Sequence, residues 1–178
     1  MAEQRKRNAN SFGLLYSDFC TRFTTPVGQV TFWVYLLIGI LVCGGAPIWV
    51  ELFRFGIGVT QNSENIRTAI NCYFPAIGCA AAVQLAFAAE YKQKYLTSFS
   101  FFAAFFFFIL SILTLALEMK PVTCLAWFVG VVGCLLAILM WWIANGLERT
   151  YLDTVDPDAP LGGPTDNPLS GDTTGFAV

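Results

Sequence analysis

The chain has 178 residues, 56% of them hydrophobic and only 12% charged, with a net charge of −2; soluble domains carry about 25% charged residues. It contains no histidine, which excludes bis-His haem ligation, His-ligated zinc, Ser-His-Asp chemistry and a histidine pH switch. Its few basic residues cluster too thinly for a nucleic-acid surface.

The arm at residues 1–29 begins with Arg5, Lys6 and Arg7. Behind them Phe12, Leu15, Tyr16, Phe19, Cys20 and Phe23 form a one-sided helical stripe. Pro26 disfavours helical backbone at Thr25, so the helix should stop there. The pattern predicts an amphipathic helix lying in a membrane interface.

Four apolar stretches follow, at residues 30–52, 68–89, 99–117 and 122–144. Each approaches or exceeds the ~20 residues that carry an α-helix across a bilayer. The rest of the chain has too few polar faces to cover four such helices in water. The sequence therefore predicts an all-α integral membrane protein: a four-helix transmembrane domain over residues 30–146, the interfacial helix before it, and a cytoplasmic tail over residues 147–178.

Within span one, Gly44-Gly45-Ala46-Pro47 predicts a kink or break, since proline removes a donor. Residues 48–55 would then form a short outer helix. Glu51 and Arg54, and Glu64 and Arg67, have the spacing of helical ion pairs. In span two, Gly78, Ala82 and Ala86 recur every four residues and make a seam for close helix packing. Gly130 and Cys134 supply a shorter seam in span four. From the first seam we expect a homo-oligomer. Asn71 and Gln84 in span two are either helix-to-helix glue or pore-lining groups. Many of the phenylalanines fall in one run of span three, Phe101-Phe102 and Phe105 through Phe108, and Trp141-Trp142 anchor the inner end of span four.

The tail is acidic and rich in Pro and Gly, with no helical or strand period. Its scattered apolar residues, Leu152, Val155, Leu161, Leu169, Phe176 and Val178, suit an extended peptide lying in the grooves of a soluble partner. With four spans, both termini and the 91–98 loop share one side. That side holds seven basic residues (Arg5, Lys6, Arg7, Arg22, Lys92, Lys94 and Arg149), the other only Arg54, Arg67 and Lys120. The imbalance predicts both termini in the cytoplasm, and no cleavable signal peptide is visible.

No paired carboxylates, metal cluster or phosphate loop appears, so no catalytic, cofactor or metal site is predicted. The six cysteines lack a C-x-x-C pair. A disulfide among Cys43, Cys72 and Cys124, all toward the outer side, stays open.

The size, basic arm, four-span layout and closing segment, with its Asp156-Pro157-Asp158 and Pro168-Leu169-Ser170-Gly171-Asp172, resemble the small bacterial four-span membrane components of phage-defence systems such as KwaA of Kiwa. That resemblance covers layout and no diagnostic residues. It implies an inner-membrane homo-oligomer that recruits a soluble cytoplasmic effector. Eukaryotic tetraspan vesicle proteins share the layout. The leading expectation is a non-enzymatic membrane scaffold or sensor whose tail binds a partner and whose spans contact lipid. A small ion channel or membrane-disrupting effector is the first alternative, and a tetraspan trafficking protein the second.

Overall fold

A computed structural model of the protein describes residues 11–89, 94–118 and 123–153. Among these residues the fold is all-helical, without a strand. Helix α1 spans Ser11–Thr24 and runs into a 3₁₀ turn at Thr25–Gly28. Helix α2, Val30–Val34, continues as a π-helix over Tyr35–Gly44. Helix α3 is Ala46–Gly56, α4 Glu64–Ala88, α5 Lys94–Glu118 and α6 Thr123–Asn145. A 3₁₀ turn at Arg149–Tyr151 starts the tail.

Three helices, α4, α5 and α6, are long and apolar enough to cross a membrane. A fourth crossing is reached if α1 and its turn, with the segment Val30–Gly44, count as one bent span; the two parts meet at 92°. α4 lies between α5 and α6 and packs closely along both, whereas α5 and α6 touch each other over a shorter length.

Glycines and aromatic rings make this close packing. Phe107 of α5 is buried against Gly78 of α4, where a Cβ would come within 2.6 Å of the ring. Phe74 of α4 is wholly buried against Gly133 of α6, where a Cβ would stand 2.9 Å from the ring. Each ring fills the hollow left by a missing side chain, which lets two backbones approach without a hydrophobic push from water. The outward faces stay apolar. Phe101, Phe102, Phe105 and Phe108 of α5 are exposed, as Phe87 of α4 is, an apolar patch of the kind that marks a membrane or protein contact.

The stretch expected as the first span, residues 30–52, is not one continuous α-helix. It is divided into α2, the π-helix and α3, with the break at Gly45. At Gly45 a Cβ would come within 2.4 Å of the Leu41 carbonyl oxygen, so the turn needs glycine. Pro47 sits in the first turn of α3, where its missing N–H costs nothing. Two side chains bond carbonyls of the wide helix. The Tyr73 hydroxyl donates to Ile40 O at 2.9 Å, and the Trp49 indole to Leu41 O at 2.8 Å. Glu51 and Arg54 pair at 2.8 Å, and Arg67 is buried.

The other helices reach beyond the apolar windows that announced them. α4 begins at Glu64 and α5 at Lys94, because helical backbone satisfies its own hydrogen bonds in polar surroundings as well as in oil.

Candidate functional site at the junction of the two termini

α1 and the segment that follows α6, Arg149–Asp153, meet beside the last turn of α6. α1 places Arg22 there, 6% exposed, with its guanidinium 3.4 Å from the carbonyl oxygens of Ile143 and Ala144. These carbonyls belong to the final turn of α6 and have no partner further along the helix, so a cation suits them. The Asp18 carboxylate and Tyr95 lie near the Arg22 guanidinium. Asp18 accepts a hydrogen bond from the Tyr95 hydroxyl. Gly146 then passes directly over α1: a Cβ there would come within 2.0 Å of Arg22 O.

Aromatic rings fill the space above. The Trp142 indole donates to Phe23 O at 3.1 Å and stacks on the Phe23 ring at 5.5 Å. Phe32, wholly buried, touches Trp141 at 5.3 Å, Trp142 at 4.9 Å and Tyr151 at 6.5 Å. Tyr151, the last residue of the 3₁₀ turn, also packs edge-on against Tyr35 at 4.8 Å. The root of the tail is thereby seated on both α6 and the first helix of the broken span.

Asp153 completes the junction. Its carboxylate accepts bonds from the Thr31 hydroxyl and from the Thr31 amide, the latter at 3.2 Å. Its own amide donates to the Gln29 side-chain oxygen at 2.8 Å. Gln29 is the cap residue of α2, and the Thr31 amide belongs to the unpaired first turn. Asp153 therefore performs the task of an N-cap carboxylate from 122 residues away in sequence. The Thr31 hydroxyl and amide bonds hold its carboxyl below the usual carboxylate range.

The residues singled out from sequence fall in several places. Gly78 and Ala82 are buried and Ala86 is half-buried on α4, while Gly130 is buried and Cys134 half-buried on α6. Both seams face neighbouring helices of the same chain: Gly78 meets Phe107, and Gly130 meets Ile70 and Asn71. Asn71 is buried in that α4–α6 contact. Gln84 is exposed on α4 and accepts a 3.2 Å bond from Asn145, whose amide also donates to Trp141 O. Both amides are thus engaged between helices. Of the proposed tail anchors, Leu152 is half-buried beside the junction. Val155, Leu161, Leu169, Phe176 and Val178 lie outside the described residues, as does the turn between α5 and α6. None of the six cysteines forms a disulfide.

Sequence reading missed Arg22, Thr31, Tyr151 and Asp153 as a unit. Its only trace was Arg22, a basic residue near the end of the amphipathic helix, just before the Thr-Thr-Pro stop. Chemically, the junction ties Tyr151 and Asp153 to α2 and α6 through hydrogen bonds and ring contacts. Among the described residues no three His, Cys, Asp or Glu side chains come together as a metal site.

No family model matches the chain, and neither a curated protein nor a solved structure does.

Proposed function

We propose that the protein is a non-enzymatic membrane scaffold, with four crossings and both termini in the cytoplasm, that presents its acidic tail to a soluble partner. The observation that carries this reading is the fixed root of the tail. Tyr151 sits in an aromatic cluster and Asp153 caps α2, so the peptide beyond leaves the bundle from one set position. A tail of pure solubilising filler would need no such seat. The seven-to-three split of basic residues supports the sidedness.

The membrane we propose is the bacterial inner membrane, and the setting is phage defence, on the strength of layout alone. Self-association belongs to the same proposal. Because Phe107 occupies the Gly78 seam, the exposed phenylalanine face of α5 is the surface we assign to it.

Deleting residues 154–178 tests the reading. Co-purification of the cytoplasmic partner should be lost while the truncated chain still needs detergent for extraction. Retention of the partner by the truncated chain overturns it.

A further inference from the structure

Helix α3 stands off from the other helices. None of its residues is buried, although Trp49, Val50, Leu52, Phe53 and Phe55 make it strongly apolar. Space lies on both of its flanks. A cavity of about 230 Å³ separates Ile48 and Trp49 from Ile70 of α4 and Val131 of α6. A larger one, of about 720 Å³, separates Pro47, Val50 and Glu51 from Asn65, Thr68 and Cys72 of α4.

Each end of α3 carries a joint. At the first, Pro47 has no N–H to give, and the Gly45 N–H turns back to Cys43 O. That N–H is the donor Leu41 O would receive in an unbroken α-helix and Ile40 O in an unbroken π-helix. These two carbonyls take side-chain donors instead, Ile40 O from Tyr73 and Leu41 O from Trp49. Tyr73 belongs to α4 and pins the π-helix in place. Trp49 belongs to α3 and latches α3 to the π-helix. The latch lies against Gly45, where a Cβ would stand 2.4 Å from the Leu41 oxygen and 3.2 Å from the indole nitrogen. At the other end of α3, the Val59 and Thr60 amides close on Arg54 O around Gly58, whose φ is 75°. Residues 60–63 belong to no helix, and α4 starts at Glu64. α3 is thus a closed unit between two joints.

Glu51 gives that unit a reason to move. One of its carboxylate oxygens pairs with Arg54 on the same helix, and the other, Oε2, is buried without a hydrogen bond among the described residues. A buried acceptor left without a donor is costly. Across the larger cavity, Asn65 and Thr68 carry an amide and a hydroxyl that can donate.

We propose that α3 is a lid. It swings about Gly45 and residues 60–63 and closes the larger cavity against α4 as Trp49 releases Leu41 O and Glu51 gains Asn65 and Thr68 as donors. In the closed position Val50 comes up to Cys72. The inference shares only the membrane placement with the function proposed above. It does not involve the tail, so its failure leaves the tail reading standing.

Full-length protein in lipid nanodiscs, on a cysteine-free background, gives the test. Spin labels at Phe53→Cys on the lid and Leu115→Cys on α5, both exposed positions, report the distance by double electron–electron resonance. Two distances are expected. Trp49→Phe keeps a ring but loses the indole N–H, and should raise the share of the second about threefold, the worth of one hydrogen bond between membrane helices. Gly45→Ala should raise it further, because the added methyl group stands in the latch. Thr68→Val should lower it about threefold. A chain keeping Cys72 and carrying Val50→Cys gives the direction of travel. Oxidation should join the two, and faster when Trp49→Phe is added, since a disulfide needs its Cα atoms within about 7 Å. Circular dichroism checks that each variant keeps its helices. One unchanged distance in the labelled parent, Trp49→Phe and Gly45→Ala overturns the lid. A second distance without the bridge from position 50 to Cys72 means that α3 moves away from the cavity, and overturns it as well.

Discussion

The helices α4, α5 and α6 and the broken first span are all predominantly apolar in sequence but held in different ways. The three long helices interlock through rings seated on glycines. The broken span is fastened to the other helices at points: Asp153 on its first turn, Phe32 against Trp141 and Trp142, Tyr73 on Ile40 O. In the membrane placement proposed above, apolar surface gains nothing by hiding from lipid, and shape and hydrogen bonds decide what binds firmly. A segment held by a few polar contacts can move without unpacking the rest. A π-helix is rare and is commonly found at functional positions, which fits a mobile element better than a girder.

This contrast can be broken from the tight side first. Gly133→Leu, and separately Gly78→Leu, should cost about 3 kcal/mol through overpacking, read as a large fall in thermal midpoint in detergent. An unchanged midpoint would mean the rings do not seat on those glycines. Arg22→Met should cost less, about 1–2 kcal/mol, by stripping the last turn of α6 of its cation. Its effect should show as faster amide exchange at the end of α6 and in α1.

On the loose side the effects should be small and local. Tyr73→Phe should cost about 0.6 kcal/mol, the usual yield of a hydrogen bond within membrane helices. Exchange should speed up in the segment Tyr35–Gly44 while the thermal midpoint barely moves. A global loss of stability would show that the broken span is part of the rigid core after all.

The smallest effect is that of pH on Asp153. Its carboxyl titrates below the ordinary value when folded, so its bond to Thr31 is fully present above the ordinary carboxylate value and is lost as pH falls through the lowered one. Between pH 7 and 5 the junction should not change. Carbon-detected NMR of the Asp153 carboxyl should report a midpoint below that of an unstructured aspartate. A midpoint at or above that value would remove the cap.

Much of the architecture was legible because long apolar runs leave a plain signature. Twenty apolar residues in a row allow little but a helix, and the stop at Thr25-Pro26 and the break at Gly45 followed from backbone chemistry. The small residues of α4 and α6 announced close packing. Their partners were not legible, because nothing in Gly78 says that Phe107 will fill its hollow, nor in Gly133 that Phe74 will. The junction was least visible. Arg22 binds two carbonyls of α6, and Asp153 caps a helix 122 residues earlier. Such long-range contacts leave no local pattern, and an aspartate at the start of an acidic tail looks like any other.

The most direct test of the account is sidedness. Single-cysteine variants on a cysteine-free background, one keeping Cys20 in α1, one carrying Thr150→Cys at the tail root and one Gln61→Cys between α3 and α4, are probed with a membrane-impermeant maleimide in sealed vesicles of known orientation. Labelling of Cys20 and position 150 from the cytoplasmic face, and of position 61 from the opposite face, is the predicted result. Labelling of Cys20 and position 150 from opposite faces, or extraction of the protein from vesicles by alkaline carbonate, would contradict it.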